Sequence, residues 1–394
     1  MRLQLSTLFA CGLCMAVIGA GTMPLLSVYA LRLGASAEAV SAMIAAAYVA
    51  LAIGTAVAHR LAALAQSPKR ALVAAGLLSA PMLGLLGQTS SIGQLAALFL
   101  GAWFLGGVAG TLIGALVGLA TNSEQRARVF GVLWLREPLG ALIGGALFGA
   151  VGESLGLTAA FVLAGVGAVF WPLLGAVGLR TAWEPAERRE ATPVVLREES
   201  RFPPAFTVLL MAAVLGTIPV FAGRLGAALT MQAQGFGPGA IGSTVLVGGL
   251  LTVPLLPLIG VLADRLGRRP VTMLAYGLSA LGMLTLAGAV DLWQFWVATA
   301  LLSIASSACG ALTAVLAADL LPGSLLARGF GHLGVANWVV ATIGSMSVGF
   351  GLAVVGATGL YLAGAGLGIV AATLLGVAGG RRSPSLLLRT NERR

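Results

Sequence analysis

Charge is scarce in this 394-residue chain: Asp, Glu, Lys and Arg make up 9% of it against 58% hydrophobic residues. With a mean hydropathy of +0.99, no soluble globular class fits, and lipid must be its main solvent. Histidine is scarcer still, at two residues, His59 and His332. With no HExxH, no GxSxG and no clustered acids, an intramembrane enzyme would have no catalytic set, and no metal or cofactor is expected. Cys11, Cys14 and Cys309 all fall in apolar runs. The CxxC of the first two lacks an electropositive setting and access for a soluble redox partner, so packing is the expected role. The 56 glycines follow no Gly-X-Y period, which excludes a collagen-like chain and points to tight helix packing.

Long apolar runs are what the chain does have. They fall at about 5–31, 38–58, 71–88, 92–120, 129–151 and 157–179, then at about 205–233, 239–263, 271–290, 292–318, 329–355 and 358–379. Crossing a bilayer core takes about 20 apolar residues, so each run can span it. Between the two sets, Arg180 to Arg201 is rich in Glu and Arg and holds Pro185 and Pro193, which is linker chemistry. The expected fold is an all-α membrane protein of twelve transmembrane helices in two pseudo-symmetric six-helix bundles, residues 1–180 and 204–380. A cytoplasmic linker at 181–203 joins them, and a basic cytoplasmic tail, 381–394, follows. Arg2 and the run from Leu3 imitate a signal peptide, and Leu8-Phe9-Ala10-Cys11 imitates a lipoprotein site. The run continues to Leu31 without a small-residue cleavage site, so it reads as the first span.

In a soluble protein the net charge of +10 would suggest nucleic acid. Here the basic residues sit between apolar runs, so they mark topology, and no nucleic-acid partner is expected. With both ends cytoplasmic, Arg2, Arg60, Lys69, Arg70, Arg126, Arg128, the linker arginines, Arg265, Arg268, Arg269, Arg328 and the C-terminal arginines all lie inside. The outer loops keep Arg32, with Glu38, Glu153 and Asp291. The expectation is a multi-pass monomer of the cell inner membrane with both termini cytoplasmic.

The halves repeat. Arg128-Val129-Phe130-Gly131 opens the fifth span as Arg328-Gly329-Phe330-Gly331 opens the eleventh, Ile143-Gly144 answers Ile343-Gly344, and Leu33-Gly34 answers Gln234-Gly235. Parallel six-helix halves around a midplane site are a recurring transporter architecture.

Gly260-Val261-Leu262-Ala263-Asp264-Arg265-Leu266-Gly267-Arg268-Arg269-Pro270, between spans eight and nine, resembles the signature loop of the major facilitator superfamily. With the six-plus-six layout, the linker and the repeated Arg-x-Phe-Gly openings, the resemblance covers essentially the whole chain. It implies a secondary transporter that moves a small organic solute by alternating access, with the loop latching the halves on the cytoplasmic face when the transporter opens outward. Asp264 is then expected to dock at the positive N-terminal end of the fifth helix near Arg126 and Arg128, with Arg265, Arg268 and Arg269 as opposing donors. The alternative is a basic loop that only enforces topology. In the first half, Val57-Ala58-His59-Arg60-Leu61-Ala62 reads as an altered copy with His59 in the acid's place. It is expected to face the start of the eleventh helix beside Arg328, as a pH-sensitive gate or as a solvated loop histidine. The chain departs from the family's proton-driven drug exporters in two ways: Trp103 to Leu119 holds no arginine, and Glu137-Pro138-Leu139-Gly140 matches their antiporter pattern only partly.

Three charges remain deep within spans: Arg136 and Glu137 on the fifth and Arg224 on the seventh. Each costs roughly 2.5 to 3.5 kcal/mol by insertion unless it faces water or a partner, so together they define the expected substrate or coupling site. Glu137 is expected either to carry protons or to pair with Arg224 and hold the halves together. Arg136 and Arg224 suit carboxylate or phosphate, which favours an anionic or zwitterionic solute. Asn337 and Trp338 stand opposite Glu137 and Pro138 in the repeat, with His332 about a turn away and Trp134 as a second stacking ring; the alternative for Asn337 is a bond to its own helix. Trp171, Trp293 and Trp296 read as interfacial anchors. Gly106, Gly110, Gly114 and Gly118 read as a stripe for close helix approach. Pro24, Pro138, Pro219 and Pro254 read as bends on cavity helices. The leading expectation is proton-coupled export of a drug-like compound or metabolite. Import of an organic anion, lipid flipping, a channel and a non-transporting sensor are the alternatives.

Overall fold

The computed structural model of the protein describes residues 2–121, 132–133, 135–179 and 202–378. The expectations for Arg126, Arg128, Trp134, residues 181–201 of the linker and the basic tail therefore lie outside the described residues. The described residues form helices and turns, with no strand. In chain order the helices are α1 (Arg2–Arg32), α2 (Ala37–Leu64), α3 (Pro68–Leu85), α4 (Ile92–Leu119), α5 (Arg136–Ser154), α6 (Leu157–Gly178), α7 (Pro204–Ala233), α8 (Pro238–Leu266), α9 (Arg268–Ala287) and α10 (Leu292–Leu320). The last helical stretch, Gly323–Ala378, runs 56 residues but is interrupted at Gly356, where φ is 70° and ψ 176°. At about 1.5 Å per residue it is far longer than a bilayer core needs. The break divides it into α11 (323–355) and α12 (357–378).

Among the described residues, ten helical segments are long and apolar enough to cross a membrane. That number takes the stretch ending at α12 as one and omits α5, whose hydropathy is lowered by Arg136, Glu137 and Glu153. Dividing the stretch at Gly356 and adding α5 gives the twelve-helix architecture.

The repeat seen in the sequence is repeated in the backbone. Gly34 and Gly235, after α1 and α7, have φ of 88° and 86°, and Gly156 and Gly356, before α6 and α12, have φ of 88° and 70°. A side chain is strained at such angles, so the same turns recur where the two halves correspond. Side chains cap several other helix starts: Ser36 accepts from the Ala39 N–H, Ser91 from the Gln94 N–H, and Asp291 forms a capping box with Gln294.

Two helix pairs join the halves. A Cβ on Gly145 of α5 would lie 2.5 Å from the Leu246 nitrogen of α8, and one on Gly242 of α8 would lie 2.6 Å from the Gly149 Cα. On the other side, a Cβ on Gly349 of α11 would lie 2.5 Å from the Glu38 Cα of α2. These contacts, with an Oε2 of Glu153 accepting the Gly239 N–H at 2.9 Å, close the bundle at the end that carries the α1–α2, α5–α6, α7–α8 and α11–α12 turns.

The glycine stripe on α4 packs differently from expectation. A Cβ at Gly106, Gly110, Gly114 or Gly118 would meet no atom within 4 Å. The close approach is made one residue over, where a Cβ on Gly107 would lie 2.1 Å from the Leu51 carbonyl oxygen and one on Gly54 would lie 2.0 Å from that of Phe104. Pro138 is also placed differently. It falls in the first turn of α5, where a helix needs no N–H donor, just after helical residues 132–133 and a turn at Leu135. Pro24, Pro219 and Pro254 do lie inside their helices.

Candidate functional site

A cavity of about 940 Å³ lies between the halves, a size that holds drug-sized ligands. It extends from Tyr48 and Arg224 to Leu256 and Phe330, and its charged lining residues are Arg136, Glu137 and Arg224. The fold thus brings together the three membrane charges picked out in the sequence. Asn337 and Trp338 of α11 line the same space, Asn337 exposed and Trp338 half-buried.

The charges are not arranged as an interhelical pair. Glu137 accepts from its neighbour, Arg136 Nε to Glu137 Oε1 at 3.3 Å, with the acid's side chain 55% exposed and the arginine's 23%. Arg136 lies across Gly12 of α1, where a Cβ would come within 3.0 Å of its Cδ. The glycine leaves room for the guanidinium. Arg224 makes no hydrogen bond or ion pair with any described residue. Tyr48 and Glu137 are the titratable groups near enough to couple with it. Tyr48 of α2 packs edge-on against Phe221 of α7, one turn before Arg224, with ring centroids 5.4 Å apart.

The cavity walls differ in chemistry. On α10, Ser303, Ser306 and Ser307 are half-buried along the lining face. Nearby threonines are spent on backbone, Thr252 on the Gly248 carbonyl and Thr299 on that of Phe295. The first half offers Met15, Met23, Trp103, Gly106 and Gly110 beside the hydroxyls of Ser27, Thr55 and Thr111. Tyr48, Phe221 and these serines escaped the sequence reading; the signal for Tyr48 was its rarity, one of four tyrosines in the chain.

The signature loop is braced within its own half. Arg268 donates to both carboxylate oxygens of Asp319 at the end of α10, at 2.6 Å each. Arg269 donates to the Leu375 and Gly376 carbonyls near the end of α12, where orphan carbonyls favour a cation. Asp319 was missed in the sequence because it sits just past an apolar run. Asp264 and Arg265 are exposed, and Asp264 makes no ion pair among the described residues. Gly267 supplies the left-handed turn, with φ 93°. Its counterpart in the first half is Gln66, with φ 55°, and Lys69 repeats Arg269 by donating to the Leu179 carbonyl after α6. The altered copy was therefore read one turn too early. His59 lies within α2 and is exposed. Arg328 lies over the Phe202 ring, its Cζ 5.2 Å from the centroid, and His332 bonds the Arg328 carbonyl at 2.8 Å.

Among the tryptophans, Trp293 is exposed at the start of α10. Trp171, expected as an anchor, is 3% exposed and accepts the Cys11 thiol at its carbonyl. Trp296 donates to the Ser243 hydroxyl at 2.7 Å, tying α10 to α8.

The family model described as Major Facilitator Superfamily matches residues 8–231 and 221–393. No curated protein matches the chain. Solved structures of similar fold include a peptide transporter in complex with sulfate (TM-score 0.75, 13% identity, covering 96% of this chain and 94% of that one). A D-xylose–proton symporter (TM-score 0.73, 16% identity, 95% of each chain) and the nucleoside transporter NupG (TM-score 0.74, 13% identity, 95% of this chain and 99% of that one) are similar too.

Proposed function

Because this chain belongs to the major facilitator superfamily and is a transporter rather than an enzyme, we propose that it exports a small organic solute by alternating access, driven by protons. The observation that carries this reading is Glu137, the carboxylate among the cavity-lining residues, half-exposed and held by a breakable contact to Arg136. Protonation removes the charge that Arg136 neutralises and sets that guanidinium free, so proton binding changes the electrostatics of the cavity. A proton symporter among the structures of similar fold supports the choice of coupling ion. Met15, Met23 and Trp103 on α1 and α4 suit a drug-like compound or metabolite. In this reading the protein works as a monomer in the inner membrane, and the distribution of Lys and Arg supports both termini being cytoplasmic.

The test is exchange in proteoliposomes. Solute counterflow with an imposed pH gradient is expected in the native chain, and Glu137→Gln is expected to keep counterflow while losing the response to the gradient. Transport that stays pH-driven in Glu137→Gln overturns the coupling role, and leak without trans-stimulation would identify a channel.

A further inference from the structure

Arg224 is the uncompensated charge of the cavity. Of the three charged lining residues, Arg136 and Glu137 neutralise one another, while Arg224 has no hydrogen-bonding or ion-pairing partner among the described residues. A guanidinium cannot shed its proton, and a charge inside a membrane protein normally finds a partner or water. Glu137 is the carboxylate among the described lining residues and it pairs with Arg136, so the described lining carries a surplus of one positive charge.

The surroundings define what would neutralise it. Tyr48, like Glu137, lies near Arg224 from the first half, and its hydroxyl makes no hydrogen bond among the described residues. A planar fork and a free O–H lining one cavity match a carboxylate, which accepts from both. A zwitterion would also need a free acid for its ammonium group, and Glu137 is occupied by Arg136. Phe221, one turn from Arg224, and Met15 and Met23 of α1 line the same cavity, surfaces for an apolar or aromatic body.

We propose that the cavity selects an organic monoanion, its carboxylate on Arg224 and Tyr48 and its uncharged body along Phe221 and the α1 methionines. This rests on reading the cavity as the transport site, and it replaces "small organic solute" with one charge class.

The test uses the purified full chain in nanodiscs and three probes of matched shape: 2-naphthoate, 2-naphthamide and 2-naphthylmethylammonium. Thermal shift and tryptophan quenching are expected to show naphthoate binding at least ten-fold more tightly than the amide, and no binding of the cation. Arg224→Gln is expected to reduce naphthoate to the affinity of the amide; Arg224→Lys, which keeps the charge without the fork, should lie between. Because Arg224→Gln removes an unpaired charge, its melting temperature should equal or exceed that of the native chain, which separates lost binding from lost folding. Equal binding of amide and acid, no binding of the acid, or unchanged acid binding in Arg224→Gln overturns the proposal. Counterflow of a neutral or cationic solute that naphthoate does not inhibit overturns the monoanion and leaves the transport reading intact. Naphthoate binding with no counterflow of any solute overturns the transport reading alone.

Discussion

Tyr48 of α2 and Phe221 of α7 meet edge to face across the two halves, with ring centroids 5.4 Å apart and planes at 80°. Such a pair is worth about 0.5–1.5 kcal/mol beyond its buried area. It exists only while α2 and α7 are together, so it favours the closed arrangement of this end of the bundle. Phe221→Ala is expected to raise the fraction of molecules open at the α1–α2 end about two- to ten-fold. Spin labels on the α1–α2 and α7–α8 turns would read that fraction as a distance distribution, and an unchanged distribution rejects the gating role.

Glu153 gives a second handle on the same equilibrium. Its carboxylate accepts the Gly239 N–H at the start of α8 at 2.9 Å, a charge placed at the positive end of a helix in the other half. Glu153→Ala is expected to weaken closure by about 0.5–2 kcal/mol, the usual range for a lost cap. Glu153→Gln, which keeps an acceptor and loses the charge, should fall between. The same distance measurement ranks the three proteins.

How much of this could be read in the sequence depended on whether the signal was periodic or positional. The spans and the turn glycines Gly34 and Gly235 follow from runs and repeats, and those survive without coordinates. Arg136, Glu137 and Arg224 were legible because charge in a long apolar run always needs an explanation. What periodicity cannot give is the direction of a face. Gly106, Gly110, Gly114 and Gly118 share one, but the face that packs belongs to Gly107. Likewise the match of His59 to Asp264 rested on neighbouring letters, while the turn conformation pairs Gln66 with Gly267. Ser303, Ser306 and Ser307 were invisible because serine in a span often bonds its own backbone.

The glycine result is directly testable. Gly107→Ala and Gly54→Ala each place a methyl near 2 Å from a carbonyl oxygen, and overpacking typically costs about 1–3 kcal/mol. Gly110→Ala meets no atom within 4 Å and is expected to leave the melting temperature unchanged in detergent. A larger loss at Gly110 than at Gly107 would mean that α2 and α4 do not pack as described.

The loop arginines should separate by partner. Arg268 and Asp319 are 41% and 48% exposed at their side chains, so their ion pair is expected to contribute only about 0.2–1 kcal/mol. Arg269 bonds two carbonyls at the end of α12 and is half-buried. Arg269→Ala is therefore expected to destabilise the protein more than Arg268→Ala, and chemical denaturation of the two variants in detergent would rank them.

Arg136 decides which countercharge Arg224 sees. Glu137 and Arg224 already act on each other electrostatically, but the acid is held on its own helix by Arg136 at 3.3 Å. Removing that hold in Arg136→Gln leaves Glu137 as a carboxylate facing a lone guanidinium, and it then competes with an incoming anion for Arg224. Naphthoate affinity is expected to fall about ten-fold in Arg136→Gln, equivalent to about 1.4 kcal/mol. In the double variant Arg136→Gln/Glu137→Gln the competitor is gone and affinity should return to the native value or above it. The two substitutions are expected to be non-additive, because either residue changes the site only through the other. If the double variant binds as poorly as Arg136→Gln, Arg136 holds the anion itself, and the uncompensated charge belongs to the arginine pair rather than to Arg224.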